Sequence, residues 1–264
     1  MIHILRSFCL MLLTSVFFSS HIFAQNVPAK MDLYLLIGQS NMAGRGKVDS
    51  LSIPKNPEIW FLDRNVEWKM AADPLHFDKP AVVGVGPGLA FAQEIAARRP
   101  EMPVGLIPCA VGGSSIDDWQ PGVRHAQTGI YAWDEMLERV KAAMKNGKIK
   151  GVIWHQGESD STPEKKKEYE AKLEAFFKRL RSELDLKKTP IILGTIGDFY
   201  VAKHPDAVEI NKAMHHYAAS HKNTYVISST GLTDMGDETH FDTASARELG
   251  RRYASKYLSV SKKK

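Results

Sequence analysis

Four short polar stretches, far apart in the chain, carry the residue types that acyl transfer needs. Gly38-Gln39-Ser40-Asn41 interrupts an apolar run at 33–37. Gly112-Gly113-Ser114-Ser115 is a glycine-rich turn behind a second apolar run. Trp154-His155-Gln156-Gly157-Glu158-Ser159-Asp160 follows a third, and Asp237-Glu238-Thr239-His240-Phe241 sets a carboxylate three residues before a histidine. A nucleophilic site requires a hydroxyl, a base to take its proton, a carboxylate to orient that base, and donors for the oxyanion. Ser40 offers the hydroxyl and His240 the base, while the bare N–H groups of the 112–115 turn can reach a developing negative charge. Singly, each stretch has a plainer explanation. Ser40 can be a helix cap, His240 a surface residue at a helix start, and Glu158 a cap near Ser159.

The run at 33–37 reads as a strand buried on both faces. Four more strands are expected at 104–109, 151–154, 191–196 and 225–228. Helical patterns separate them. One starts at Thr162, a good cap with Pro163 in the first turn, and carries Tyr169, Leu173, Phe176, Phe177, Leu180 and Leu184 along one face. Others cover 87–99, 130–144, 205–219 and 244–258. This alternation predicts an α/β fold, a three-layer sandwich around a five-stranded, mainly parallel sheet. Ligands in such sheets bind beyond the carboxyl ends of the strands, which is where the four polar stretches fall. The segment 51–80, with Pro54, Pro57, Pro74 and Pro80, reads as a long irregular excursion. Its Trp60, Phe61 and Trp68 either stack on sugar rings or pin the loop as buried staples.

Composition narrows the partners. The net charge of +5 is mild, and no basic stripe interleaved with aromatics points to nucleic acid. Arg6, an apolar core at 10–18 and Ala24 before Gln25 read as a secretory signal peptide over 1–24, with an apolar run too short to span a bilayer. Residues 25–264 then form one domain with no membrane attachment. Cys109 is its sole cysteine, so no internal disulfide is possible and a buried thiol is expected. The Gly84-Val85-Gly86-Pro87-Gly88 run fails as a dinucleotide fingerprint, because Leu89 takes the third glycine position and no strand precedes it. There is no P-loop and no HExxH, and Met42 stands where a G-x-S-x-G elbow needs glycine. No cofactor and no metal are expected.

The blocks GQSNM, GGSS, WHQGESD and DxxHF, in this order, resemble the SGNH/GDSL hydrolase superfamily. More narrowly they resemble its sialate O-acetylesterase and carbohydrate esterase family 6 (acetyl xylan esterase) branch, over about 32–253. The resemblance implies a flavodoxin-like sheet and metal-free hydrolysis of acetyl esters on sugars. It gives Ser40 the role of nucleophile and His240 that of general base and acid. It assigns the oxyanion to the N–H groups of Ser40 and Gly113 and to the amide of Gln156, which stands where most superfamily members carry Asn. Two carboxylates remain open for orienting His240. Asp237 has the superfamily spacing, and Glu158 matches a glutamate that takes the role in some related esterases. The implied partner is an acetylated carbohydrate, acetylated xylan or O-acetyl sialic acid, met outside the cytoplasm in a secreted or periplasmic setting. Rival classes are a metal-dependent hydrolase built on Asp237, His240, His155 and Asp198, and a non-catalytic glycan-binding module. His155, just after a strand, is expected to shape the pocket.

Overall fold

Strand β1 (Met31–Gly38) is buried along its whole length. Its side chains feed two separate cores: Leu33, Leu35 and Ile37 join one apolar cluster, Tyr34 and Leu36 the other. A strand with no wet face must lie in mid-sheet with helices on both sides. The computed structural model, which describes residues 27–53 and 55–261, has this arrangement; the expected signal peptide at 1–24 lies outside the described residues.

After β1 the chain runs through the single turn α1 (Ser40–Ala43), β2 (Ile59–Leu62), β3 (Trp68–Met70), α2 (Pro87–Arg98) and β4 (Val104–Pro108). It continues through α3 (Ala132–Ala143), β5 (Gly147–His155), α4 (Tyr169–Glu183), β6 (Ile191–Gly194), α5 (Asp198–Lys203), α6 (Ala207–Ser220), β7 (Thr224–Ile227) and α7 (Thr243–Ser261). The sheet order is β3-β2-β4-β1-β5-β6-β7, and every pairing is parallel except that of β2 with β3. The chain winds outward from β1 to one edge, returns as β4, and crosses to β5 for the other half. The carboxyl ends of β1, β4 and β5 therefore meet at the switch point where such folds bind ligands.

The sheet has seven strands, not the five expected. Both additional strands lie inside the supposed excursion at 51–80. They are four and three residues long, too short to show an alternation, and Val66 between them turns the chain at φ 63°. Trp60 is part of the core and Trp68 packs against it, with its indole N–H on Asn146 Oδ1 at 3.1 Å. These aromatics are structural staples at the sheet edge and none lines the cleft described below.

Helices α3, α4 and α6 cover one face and α2 with α7 the other. The α4 stripe is where its spacing put it, with Tyr169, Leu173, Phe176, Phe177 and Leu180 all buried. The helix itself begins at Tyr169, later than Thr162, because 165–167 winds as a separate 3-10 turn. Phe176 packs against Trp119, Trp133, Trp154 and Phe177 with ring centroids 4.8–5.9 Å apart. Trp119 in turn donates its indole N–H to Ser114 Oγ at 3.1 Å, so this aromatic cluster underlies the glycine-rich turn. Phe176→Ala opens a cavity in it. The expected cost is about 3–5 kcal/mol, or a fall in Tm of roughly 6–20 °C in a thermal melt followed by circular dichroism.

Candidate active site

Gly38 ends β1 at φ 135°, where a Cβ would lie 2.0 Å from the carbonyl oxygen of His155. Only glycine permits so close an approach of β1 to β5 in this conformation. The next N–H, that of Gln39, bonds the same carbonyl at 2.9 Å, and Ser40 follows as the first residue of α1. Two hundred residues later the loop before α7 brings His240 back to it. His240 Nε2 lies 3.0 Å from Ser40 Oγ, and His240 Nδ1 lies 2.7 Å from Asp237 Oδ2. Asp237 Oδ1 accepts the backbone N–H groups of His240 and Thr239 at 2.8 and 3.0 Å. Burial pushes the Asp237 carboxyl up, but these bonds and the His240 ring outweigh it and hold the group below the usual carboxylate range. The anion takes an N–H from Nδ1, which leaves Nε2 bare to accept the serine proton.

Glu158, the other carboxylate considered, makes no hydrogen bond to His240. Its Oε1 accepts the side-chain N–H of Asn41 at 2.6 Å. Asn41 also donates to the Thr239 carbonyl at 3.0 Å and accepts the Phe241 N–H at 3.1 Å, so one amide grips the backbone on both sides of His240. Glu158 reaches the histidine loop through this amide. Burial drives its carboxyl above the usual range, opposed by the Asn41 bond and by the charge on His240. Asn41 neither titrates nor attacks, so acyl-transfer chemistry alone does not single it out in the sequence. Its position directly after Ser40, as an amide able to donate and accept at once, was the available signal.

The glycine-rich turn is clamped from outside. Gly112 donates its N–H to Asp78 Oδ2 at 2.7 Å, and Arg45 Nη2 donates to the same oxygen at 2.8 Å, with both side chains almost wholly buried. A Cβ on Gly112 would lie 2.2 Å from Arg45 Nη2. Ser114 and Ser115 spend their N–H groups on Val111 O and Asp118 Oδ2. Gly113, at φ 87°, keeps its N–H free of any partner among the described residues. The N–H of Ser40, at the start of α1, likewise has no intrahelical acceptor. Both backbone donors expected for the oxyanion border a cleft of about 340 Å³, together with Gln39, Lys79, Glu158, Tyr200 and His240.

Gln156 has partners other than those expected. Its Nε2 donates to Gln39 Oε1 and Ser114 O, each at 3.2 Å, and to Asp160 Oδ2, while Tyr169 Oη donates to its Oε1 at 3.0 Å. It is fully buried and is not part of the cleft wall. His155, expected to shape the pocket, is also fully buried. Its Nδ1 meets Tyr253 Oη at 3.0 Å, and that hydroxyl gives its own proton to Trp154 O, so Nδ1 carries the hydrogen and Nε2 is bare. Among the described residues no three His, Cys, Asp or Glu side chains converge as a metal site, so Asp237, His240, His155 and Asp198 do not form one. Cys109 is buried, and burial pushes its thiol up to about 11.

Residues 30–259 match the family described as carbohydrate esterase, sialic acid-specific acetylesterase. A probable carbohydrate esterase of Arabidopsis thaliana, At4g34215, is 33% identical over 249 residues, which cover 86% of this chain and 90% of that one. The X-ray structure of the Arabidopsis thaliana protein AT4G34215 aligns with a TM-score of 0.78 at 31% identity, over 89% of this chain and 99% of that chain. NanS aligns at 0.72 with 19% identity, over 90% and 99%. XAC1771, a carbohydrate acetylesterase from Xanthomonas citri, aligns at 0.65 with 20% identity, over 88% and 57%. The last two likenesses concern the fold. Fold and family together define a hydrolase of α/β fold that acts on carbohydrate esters. The chain belongs to the carbohydrate esterase family of sialic acid-specific acetylesterases.

Burial lowers the His155 imidazole to about 3. A histidine kept neutral in the fold contributes stability above its ordinary titration near 6.5, and that contribution drains away as pH falls toward 3. At pH 5 the loss is about 2 kcal/mol. His76, also lowered to about 3, and Asp73, raised by burial to about 7, are common to wild type and variant. His155→Leu should therefore lose less Tm than wild type between pH 7 and pH 5; equal losses would contradict this reading of His155.

Proposed function

We propose that the protein is an exported serine O-acetylesterase that removes acetyl groups from a carbohydrate, with acetylated xylan and O-acetyl sialic acid as the substrate classes to compare. The observation that carries this reading is the chain of contacts from Ser40 Oγ to His240 Nε2 at 3.0 Å and from His240 Nδ1 to Asp237 at 2.7 Å.

In the first half-reaction Ser40 Oγ attacks the acetyl carbonyl and its proton passes to His240 Nε2. The carbonyl electron pair moves onto oxygen, where the N–H groups of Ser40 and Gly113 receive it. As the adduct collapses, His240 returns the proton to the departing sugar oxygen and the acetyl group stays on Ser40. Water then repeats the sequence, with His240 as base, and releases acetate. Asp237 stabilises the imidazolium in both halves and holds the ring in the productive tautomer. Glu158 contributes by positioning the histidine loop through Asn41. Cleavage of the leader after Ala24 belongs to the same reading, since a glycan substrate of this kind is met outside the cytoplasm.

The direct experiment is an acetate-release screen over acetylated xylan, acetylated monosaccharides and O-acetyl sialic acid. Wild type should release acetate from at least one of them, and Ser40→Ala should release none while keeping its circular dichroism spectrum. A wild-type protein inert on every acetyl ester would overturn the proposal. Asp237→Asn, which loses the anion that fixes the tautomer, should drop turnover by up to about 10⁴-fold. If it retained full turnover and Glu158→Gln lost it, the orienting role would pass to Glu158.

A further inference from the structure

We infer that Gln39 supplies the side-chain donor to the oxyanion, a role its neighbour Gln156 cannot fill in this geometry. The inference rests on the serine-esterase reading and assigns a further catalytic residue within it.

The Gln156 amide is committed. Its two N–H bonds face three acceptors, Gln39 Oε1, Ser114 O and Asp160 Oδ2, and the residue lies behind the cleft wall. Gln39 presents the reverse case. Its Oε1 accepts from Gln156 Nε2 and from the backbone N–H groups of Gly157 and Ser159, at 3.2, 3.2 and 3.4 Å. Backbone N–H groups only donate, so the orientation of the Gln39 amide is fixed: the oxygen faces the 157–159 turn and Nε2 is the opposite end. No hydrogen bond among the described residues uses that Nε2, although the residue is only 3% exposed. That Nε2 is not sealed inside the protein: Gln39 borders the cleft beside Ser40, so the free end of its amide opens where an acceptor on the substrate would arrive.

Placement agrees with this. Gln39 precedes the nucleophile in the chain, so its side chain and the Ser40 N–H share one anchored turn. The 157–159 turn that holds Gln39 Oε1 is itself tied to the glycine turn, because Ser159 Oγ donates to Gly113 O at 3.0 Å. Gln39 Nε2, Ser40 N and Gly113 N are therefore three free donors on one rigid frame around the same cleft. When the Ser40 Oγ–carbon bond forms and the carbonyl pair moves to oxygen, Gln39 Nε2–H hydrogen-bonds the new anion, and no proton is transferred from it.

Gln39→Glu tests this, since it keeps an acceptor oxygen for the Gly157 and Ser159 N–H groups and removes the donor. Turnover on an acetyl ester should fall about 10²–10³-fold with KM little changed. Affinity for methylboronic acid, which closes on a catalytic serine as a tetrahedral anion, should fall with it, while Tm stays near that of wild type. Wild-type turnover in this variant, or lost turnover with full boronate affinity, would overturn the inference. A second measurement needs no variant: in a crystal structure of the wild-type boronate adduct, Gln39 Nε2 should lie about 2.7–3.1 Å from a boronate oxygen. A boronate oxygen bonded by Gln156 instead would overturn it too. An inactive wild type that takes up no boronate fails the serine reading itself; an active wild type with Gln39 remote from the boronate fails this inference alone.

Discussion

One amide holds the two ends of this chain at reacting distance. Asn41 accepts the N–H of Phe241 and donates to the carbonyl of Thr239, so the residues flanking His240 are pinned to the residue that follows Ser40. The contact joins positions about 200 apart in sequence, and a loop closed over such a length gains little from local preference. The loop also closes on itself, with the Met235 N–H on His240 O at 2.9 Å, but its residues 235–239 are largely exposed and Asn41 is what ties it to the Ser40 turn. Glu158 holds Asn41 from the far side through Oε1, while its Oε2 has no partner among the described residues.

Behind the cleft lies a polar layer of shared hydrogen bonds, in which Asp78 Oδ1, His155 Nε2 and Glu158 Oε2 are left without a partner among the described residues. Gln156 connects Gln39, Ser114, Asp160 and Tyr169, and Asp160 also accepts the N–H of Ile116 at 2.9 Å. On the other side, Asp78 binds Gly112 and Arg45 through one oxygen. Shared bonds of this kind rigidify the groups they join and are costly when broken. Here they fix the two turns whose backbone N–H groups remain free. The free donors stand out because their neighbours are already bonded, and that contrast separates Gly113 from Gly112 and Gln39 from Gln156.

The parts of this architecture that follow from one-dimensional pattern were legible. The run at 33–37 demanded a central strand, and the Tyr169-to-Leu180 stripe demanded a helix against the sheet. β2 and β3 were not legible, because segments of four and three residues between prolines carry no periodicity and exist only through pairing, β2 with β4 and β3 with β2. At the site, the meeting of Ser40, His240 and Asp237 was readable from residue type and spacing. The division of labour between the amides was not. Whether Gln156 or Gln39 faces the cleft depends on which backbone N–H groups fill the Gln39 oxygen, a three-dimensional fact with no trace in residue order. The same holds for Asp78, which sits in the proline-rich stretch and becomes a clamp only when that stretch folds over Gly112.

The proposed chemistry requires that the Ser40 hydroxyl be made nucleophilic by His240. The most direct measurement is labelling of the folded protein with a fluorophosphonate, followed by digestion and peptide mass spectrometry. A single adduct on the peptide containing Ser40, formed in wild type and suppressed in His240→Ala, is the predicted result. An unlabelled protein, or an adduct on another residue with Ser40 untouched, would contradict it.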